Sequence, residues 1–413
     1  MSRRVAVVGA GIVGMSCARF LQRDGHAVTV IDPREPGDGA SFGNAGVIAD
    51  CDVAPLSMPG VLKRVPGMLL DPSGPLVLRW RYLPKIAPWL FAFLKASRRS
   101  DEIAAALAPL LAGARLAYDA LLREAGAADL IRDTGWLKLF STERAFRRMD
   151  EECRLMRRHG IRFEALDPPE IRRLEPGLAP IFKRALFFPD CAQVVNPKRL
   201  VAALAGAFAA DGGEIVRERA TGFDLGGDRR AVVTEGSRHQ ADAVVLAAGA
   251  WSRPLAAALS ARVPLDTERG YHAMFPSAEP GLVRPALWWD EAINLVPMEH
   301  GLRLTSGVEF AGLDAPPDYR RIDRLARRAR AMLPSLAAAP QSRWLGFRPS
   351  LPDSLPVLGP SARHEGVYFA FGHQHLGLTL GAISGRIVAD LVAGRDPGVD
   401  MSPYRAERWG SLA

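Results

Sequence analysis

Three glycines constrain the start of this chain more than any other feature. Gly9, Gly11 and Gly14 follow an apolar run at residues 5–8 and open a stretch, 15–25, with apolar positions at helical spacing. A second apolar run at 28–31 ends in Asp32. The pattern predicts strand, tight turn, helix and strand, one β-α-β unit. Gly9 lets the chain leave the strand. Gly11 lacks a Cβ where a pyrophosphate would approach, and Gly14 lets helix and strand pack closely. A helix beginning at this turn, through Ala10, Ile12 and Val13, offers unpaired N–H groups and a partial positive charge. Asp32, about twenty residues further on, is placed to bond ribose hydroxyls. The segment points to a bound dinucleotide without choosing between NAD and FAD.

The 413 residues are 48% hydrophobic and 24% charged, a folded composition with room for two or three domains, or two interleaved ones. The net charge of +8 is largely arginine spread over helical segments, and no nucleic-acid motif accompanies it, so no nucleic-acid partner is expected. Four cysteines without a C-x-x-C pair argue against a disulfide framework or zinc module and fit a reducing compartment. The N-terminal Arg3-Arg4 runs into a strand rather than a leader. No apolar run approaches the roughly 20 residues that span a bilayer. A cytoplasmic location is expected.

Further along, 33–60 is rich in loop-forming residues. Helices are predicted at 107–125, 143–159, 197–211, 318–332 and 378–393, and strands at 185–188, 214–219 and 366–370. Residues 263–312 alternate like antiparallel strands. The apolar run 243–247 passes into Ala248-Gly249-Ala250-Trp251-Ser252, which resembles the second dinucleotide motif of flavoproteins.

Three more segments carry a family resemblance. They are Ser41-Phe42-Gly43-Asn44-Ala45-Gly46, then Gly346-Phe347-Arg348-Pro349 with 352–359, and Gly372-His373-Gln374-His375-Leu376-Gly377-Leu378-Thr379. Together with the first motif they resemble the D-amino-acid oxidase/dehydrogenase superfamily, most of all the bacterial D-amino-acid dehydrogenases. The resemblance implies an α/β (mixed α+β) fold, a Rossmann-like FAD-binding domain interleaved with an antiparallel-sheet substrate domain. Its implied boundaries are 1–60, 185–260 and 345–413 for the first, and 61–184 and 261–344 for the second. It implies non-covalent FAD, held by Gly9, Ala10, Gly11, Ile12, Val13, Gly14, Asp32, Ser41, Asn44, Ala45, Gly46, Ala248, Gly249, Trp251, Gly372, Gly377, Leu378 and Thr379. The implied reaction is oxidative deamination of a D-amino acid or cyclic imino acid, by hydride transfer from Cα to flavin N5.

A planar guanidinium can hold a carboxylate by two parallel charge-assisted hydrogen bonds, which fixes orientation as well as position. The resemblance assigns this to Arg348; the alternative is a structural salt bridge. It places Tyr271 as a substrate-facing aromatic, with a core sheet residue as the alternative. His373 and His375 approach the helix start that would face the flavin pyrimidine. No third ligand stands near the His-x-His pair, so no metal is expected. No general base is needed if the substrate amine is already deprotonated.

Two departures from the family pattern stand out. The stretch 49–56 has no aromatic residue and carries Asp50 and Asp52, and Gln374-His375 replaces a small pair. Both suggest a more polar pocket, for instance for a hydroxylated cyclic amino acid such as D-hydroxyproline. Asn294 stands where a glycine-oxidase-like relative would place a tyrosine. Residues 61–99 mix Leu62, Met68, Leu69, Leu70, Trp80, Tyr82, Trp89, Phe91, Phe93 and Leu94 with Lys63, Arg64, Arg79, Arg81, Lys85, Lys95, Arg98 and Arg99. Such a surface suits peripheral contact with the inner face of the cytoplasmic membrane and electron transfer to a quinone or other acceptor; packing into the core or a subunit contact, with the basic residues solvated, is the plainer reading. The rival activities are an oxidase that uses O2 and a non-catalytic flavoprotein subunit. No cysteine lies in 344–360 to attach a flavin covalently.

Overall fold

The computed structural model describes residues 2–60, 65, 67, 74–226 and 230–412. The opening motif folds as expected: strand Arg4–Val8, helix Ile12–Arg23 and strand Ala27–Ile31. Strand Arg4–Val8 pairs in parallel with Ala27–Ile31 on one side and Ala243–Leu246 on the other. Glu214–Val216 and Val367–Phe371 extend this sheet in parallel, and Val357–Pro360 closes one edge antiparallel. The central strands are buried on both faces, which is why they read as continuous apolar runs. Helix Gly377–Val392 packs on helix Ile12–Arg23 at backbone distance. A Cβ on Gly385 would stand 2.6 Å from the Ser16 carbonyl carbon.

The second layer is a nine-stranded, mostly antiparallel sheet. Its order runs Ser342–Ser350, Asp266–Phe275, Gly301–Phe310, Ile293–Met298, Ala286–Trp288, Trp136–Phe140, Arg184–Phe188 and Glu164–Leu166, with Leu76–Leu78 beside Gly301–Phe310. Helix Arg320–Met332 buries Ile322, Leu325, Ala329 and Met332 in a core with Leu295, Leu304 and Phe275. A short sheet of Val47–Ile48, Ala192–Val194 and Ile131–Arg132 ties the loop after the opening motif to the larger body.

Two implied boundaries cut through strands. Residues 185–188 belong to Arg184–Phe188, and 345–350 to Ser342–Ser350, both in the large sheet. Helix Ser100–Glu124 starts earlier than its apolar spacing suggested. It packs on the dinucleotide-binding unit rather than the substrate sheet: Tyr118 Oη donates to the Leu378 carbonyl, and Gly113 faces Ile383. The helix expected at 143–159 is two, Glu143–Arg147 and Asp150–Arg158.

The expectation that nothing here could span a bilayer also changes. Trp80–Glu124 and Gln374–Val392 are long and apolar enough by length and composition. The second is apolar because protein surrounds it, with 72% of its apolar window buried. In the first the figure is 44%. Within the basic and aromatic stretch, Trp89 and Tyr82 turn inward: Trp89 Nε1 donates to the Ser350 carbonyl at 3.2 Å, and Tyr82 Oη donates to Asp266 at 2.9 Å. Trp80 and Phe91 are exposed. Leu62, Lys63, Arg64, Met68, Leu69 and Leu70 lie outside the described residues.

Candidate active site

A cavity of about 350 Å³ runs between the two sheets, within the range of small-ligand sites. One end is the glycine turn. Gly9 adopts φ +115°, and a Cβ there would stand 2.3 Å from the Ala247 carbonyl oxygen. A Cβ on Gly14 would stand 1.9 Å from the Gly9 oxygen. Both glycines are therefore demanded by the protein's own packing. Gly11 is different: the nearest atom to a Cβ there is Ser41 Oγ, at 3.6 Å. The protein leaves that space open on the cavity side, which is the cradle a pyrophosphate needs.

Asp32 Oδ2 accepts from Ala10 N at 2.8 Å and Oδ1 from Arg34 N at 2.9 Å. These bonds fix the carboxylate at the cavity edge, and each oxygen keeps a lone pair for a ribose hydroxyl. Ser41 Oγ accepts from Ile12 N at 3.1 Å, capping the helix start. Arg34 lies over the Trp251 ring, 4.1 Å from its centroid, beside Ala248 and Gly249. At the other end Gly377 and Leu378, opening helix Gly377–Val392, line the cavity. A long site with a fixed carboxylate at its edge, an open glycine cradle and two helix N-termini fits FAD.

Of the residues assigned to cofactor or substrate, Ala10, Gly11, Ile12, Val13, Asp32, Ser41, Asn44, Ala45, Ala248, Gly249, Trp251, Tyr271, Arg348, His373, His375, Gly377 and Leu378 border this cavity. Gly9, Gly14, Gly46, Gly372 and Thr379 stand behind the wall. Gly46 makes room for the Val194 carbonyl and Gly372 for Leu351. Thr379 Oγ1 accepts from Ala49 N at 3.0 Å, so its side chain ties the helix start to the loop rather than facing the cavity.

Arg348 lies in the cavity wall. Its Nη1 donates to the Gly307 carbonyl at 3.0 Å, and among the described residues no carboxylate lies within ion-pair distance of it, although Glu268 stands opposite on the neighbouring strand. Burial pushes its pKa down and Glu268 partly counters this. Gly270 is what allows the guanidinium to lie there, because a Cβ on it would stand 2.6 Å from Nη2.

Tyr271 borders the cavity, but its hydroxyl is held within the protein. In the strand register Arg348 stands opposite Glu268 and Gly346 opposite Gly270, so alternation turns the Tyr271 side chain away from Arg348, as it does that of Arg269. There its hydroxyl donates to Glu309 Oε2 at 2.6 Å and accepts from Asp318 N at 3.1 Å, while its ring meets Tyr319 edge-on. Burial and Glu309 raise the phenol's pKa.

His373 Nε2 bonds Ser384 Oγ at 2.9 Å, and burial lowers its pKa to about 4. His375 turns the other way. Its Nε2 stands 3.8 Å from Asp52 Oδ2, and burial lowers its pKa against the pull of Asp52. Asp52 Oδ1 accepts from Lys138 Nζ at 2.8 Å. Burial would raise the Asp52 pKa, but Lys138 and His375 outweigh it and hold the carboxyl below its usual range. Close by, Asp50, Cys51 and Cys191 bring ligand atoms within 4.8 Å of one another. Cys191 Sγ lies 3.2 Å from Asp50 Oδ1 and 3.4 Å from Cys51 Sγ, and its pKa is raised by the Cys51 contact and burial.

Sequence reasoning missed Gly270, Gly307, Lys138, Glu268, Trp136 and Trp344. The aromatic walls absent from 49–56 come from Trp136 and Trp344. Trp344 stacks on His272 with ring centroids 5.0 Å apart, in space cleared by Gly43 and Gly346. Only the two glycines beside it hinted at this.

Comparison with known proteins gives the family. Residues 4–391 match the family described as FAD dependent oxidoreductase. The chain is 40% identical to a protein named D-amino-acid oxidase from Bradyrhizobium diazoefficiens, over 98% of this chain and 99% of that one. It is 30% identical to a D-amino acid dehydrogenase from Xanthobacter autotrophicus, over 99% and 100%. Among solved structures, glycine oxidase from Geobacillus kaustophilus superposes with a TM-score of 0.75 at 24% identity, covering 98% of this chain and 99% of that one. The chain belongs to the FAD-dependent oxidoreductase family, and FAD is its cofactor.

Proposed function

We propose that the protein oxidises a D-amino acid or cyclic imino acid to its imine, with non-covalent FAD as the immediate oxidant. The observation that carries this is Arg348: a charged group in a cavity wall, hydrogen-bonded to a carbonyl and without an ion-pair partner among the described residues. Burying an unpaired charge is costly, and a bound carboxylate would pair it. FAD, when bound, accepts the two electrons released as the Cα–N bond becomes an imine. The protein's part is to bind the carboxylate, shut out water and keep the amine neutral. His373 and His375 both have lowered pKa values, so neither adds positive charge beside the amine at neutral pH. The names of the relatives support the D-hand and the amino-acid substrate.

We also place the protein on the inner face of the cytoplasmic membrane, passing electrons to a quinone. Trp80 and Phe91 are 71% and 56% exposed, beside Arg81, Lys85, Lys95, Arg98 and Arg99. Exposed aromatic residues fringed with cations suit an anionic bilayer. A second reading is an oxidase that uses O2, favoured by the name of the 40% identical relative. Peroxide yield in air separates the two. Stoichiometric hydrogen peroxide supports the oxidase. Slow turnover in air that a soluble quinone accelerates supports the dehydrogenase.

A further inference from the structure

The two sequence departures from the family pattern meet on one wall of the cavity. Asp52 and His375 both line it, with His375 Nε2 at 3.8 Å from Asp52 Oδ2. The other oxygen of the same carboxylate, Oδ1, is held by Lys138 at 2.8 Å. Lys138 does not reach the cavity. Its ammonium sits over the faces of Trp136 and Phe188, at 4.6 Å and 5.0 Å from their centroids. One carboxylate oxygen is thus anchored from behind while the other is turned toward an imidazole in the cavity wall.

We propose that Asp52 and His375 form a side-chain subsite for a neutral hydroxyl, so that the preferred substrates are amino or imino acids hydroxylated on the side chain or ring. Lys138 is a positioning residue that fixes the Asp52 rotamer. The inference rests on the amino-acid reading above and adds the substrate class.

Charge balance selects among side chains. Lys138 already balances Asp52, so the carboxylate in this wall needs no further cation, while Glu268 acts on Arg348 and His375 from the Arg348 side. A cationic side chain at this wall would meet a carboxylate already paired with Lys138 and be repelled by that ammonium. An acidic one would face Asp52 at close range. An aliphatic one would strip water from Asp52 and His375 and return no hydrogen bond. A hydroxyl donates to the carboxylate and accepts from, or donates to, the imidazole, and brings no charge. Gln374 strengthens the case. It is buried in the same wall, its Nε2 donates to the Leu351 carbonyl at 2.8 Å, and its Oε1 has no hydrogen-bond partner among the described residues.

The test compares kcat/KM on flavin-loaded protein for D-4-hydroxyproline against D-proline, and for D-serine against D-alanine. A site built to bond a hydroxyl should favour the hydroxylated member of at least one pair by about tenfold or more. Asp52→Ala and His375→Ala should each bring that ratio close to one, mainly through KM. Lys138→Met should do the same, and Lys138→Arg should restore the preference. Flavin content and the flavin absorbance spectrum confirm that each variant is folded, and having two wall variants guards against one that is not. A ratio near one in the unmodified protein, or a ratio unchanged in a flavin-loaded wall variant, overturns the subsite. If D-alanine and D-proline reduce the flavin as well as their hydroxylated partners, the subsite alone fails. If no amino acid reduces it, the amino-acid reading fails and the subsite with it.

Discussion

The Arg348 guanidinium lies so close across Gly270 that a Cβ at that position would stand 2.6 Å from Nη2. Gly270 is not in a left-handed conformation, and the atoms it would strike are the far end of a long side chain. Gly270→Ala should therefore fold and bind flavin normally but push the guanidinium out of line. The expected result is a rise in KM of roughly tenfold or more, with a fall in kcat as carboxylate orientation is lost. Steady-state kinetics at matched flavin content measure it; an unchanged KM would remove Gly270 from this role.

Arg348 itself allows a sharper separation of binding from stability. Arg348→Met removes a buried charge that has no ion-pair partner among the described residues, so thermal stability should hold or rise. Substrate binding should weaken by about 3 kcal/mol, since a desolvated charge pair is lost. Arg348→Lys keeps the charge but not the two-point grip, and should fall between. A large drop in Tm with KM preserved would mean that Arg348 is structural.

At the other end of the cavity, Gly14→Ala should cost the protein its flavin. The added Cβ would stand 1.9 Å from the Gly9 oxygen, and backbone on both sides leaves little room to relax. Overpacking of this kind costs about 1–3 kcal/mol and would displace the helix start from the cradle. The ratio of flavin to protein absorbance after purification reports it. Gly11→Ala should fold with near-normal stability yet lose flavin equally, because its Cβ would point into the open cradle.

Two buried histidines set an acid limit on stability. Burial lowers His373 to about 4 and His272 to about 3. Below an unfolded value near 6.5 the unfolded chain binds protons that the folded protein does not, so stability falls as pH drops through this window. Each histidine should contribute a loss of about 2 kcal/mol between neutral pH and pH 5. Chemical denaturation across that range should show the slope, and His373→Asn should flatten it. Catalysis should run on a different titration, with kcat/KM rising as the substrate amine loses its proton.

The opening motif was legible because it is local: strand, turn and helix each leave a period within 32 residues. Arg348 was legible as a residue type inside a family motif, but not as an arginine lacking an ion-pair partner, which depends on strands distant in sequence. Tyr271 shows the limit most clearly. Alternation along strand Asp266–Phe275 tells which residues share a face with it, but not which face turns to the cofactor, and a bulge between Arg269 and Tyr271 disturbs the count against the next strand. The Asp52–Lys138 pair joins residues from separate segments, so neither hinted at the other. Helix Ser100–Glu124 packs on the dinucleotide-binding unit, which its sequence does not reveal, because an apolar face says that a helix packs, not on what.

The most direct test is anaerobic mixing of the flavin-loaded protein with a matched set: a D-amino acid, its L-enantiomer, and the amine that lacks the carboxylate. The expected result is rapid loss of the yellow flavin absorbance with the D-amino acid only, abolished in Arg348→Met. Bleaching by the bare amine at the same rate, or equal bleaching in the Arg348 variant, would contradict a guanidinium that holds the substrate by its carboxylate.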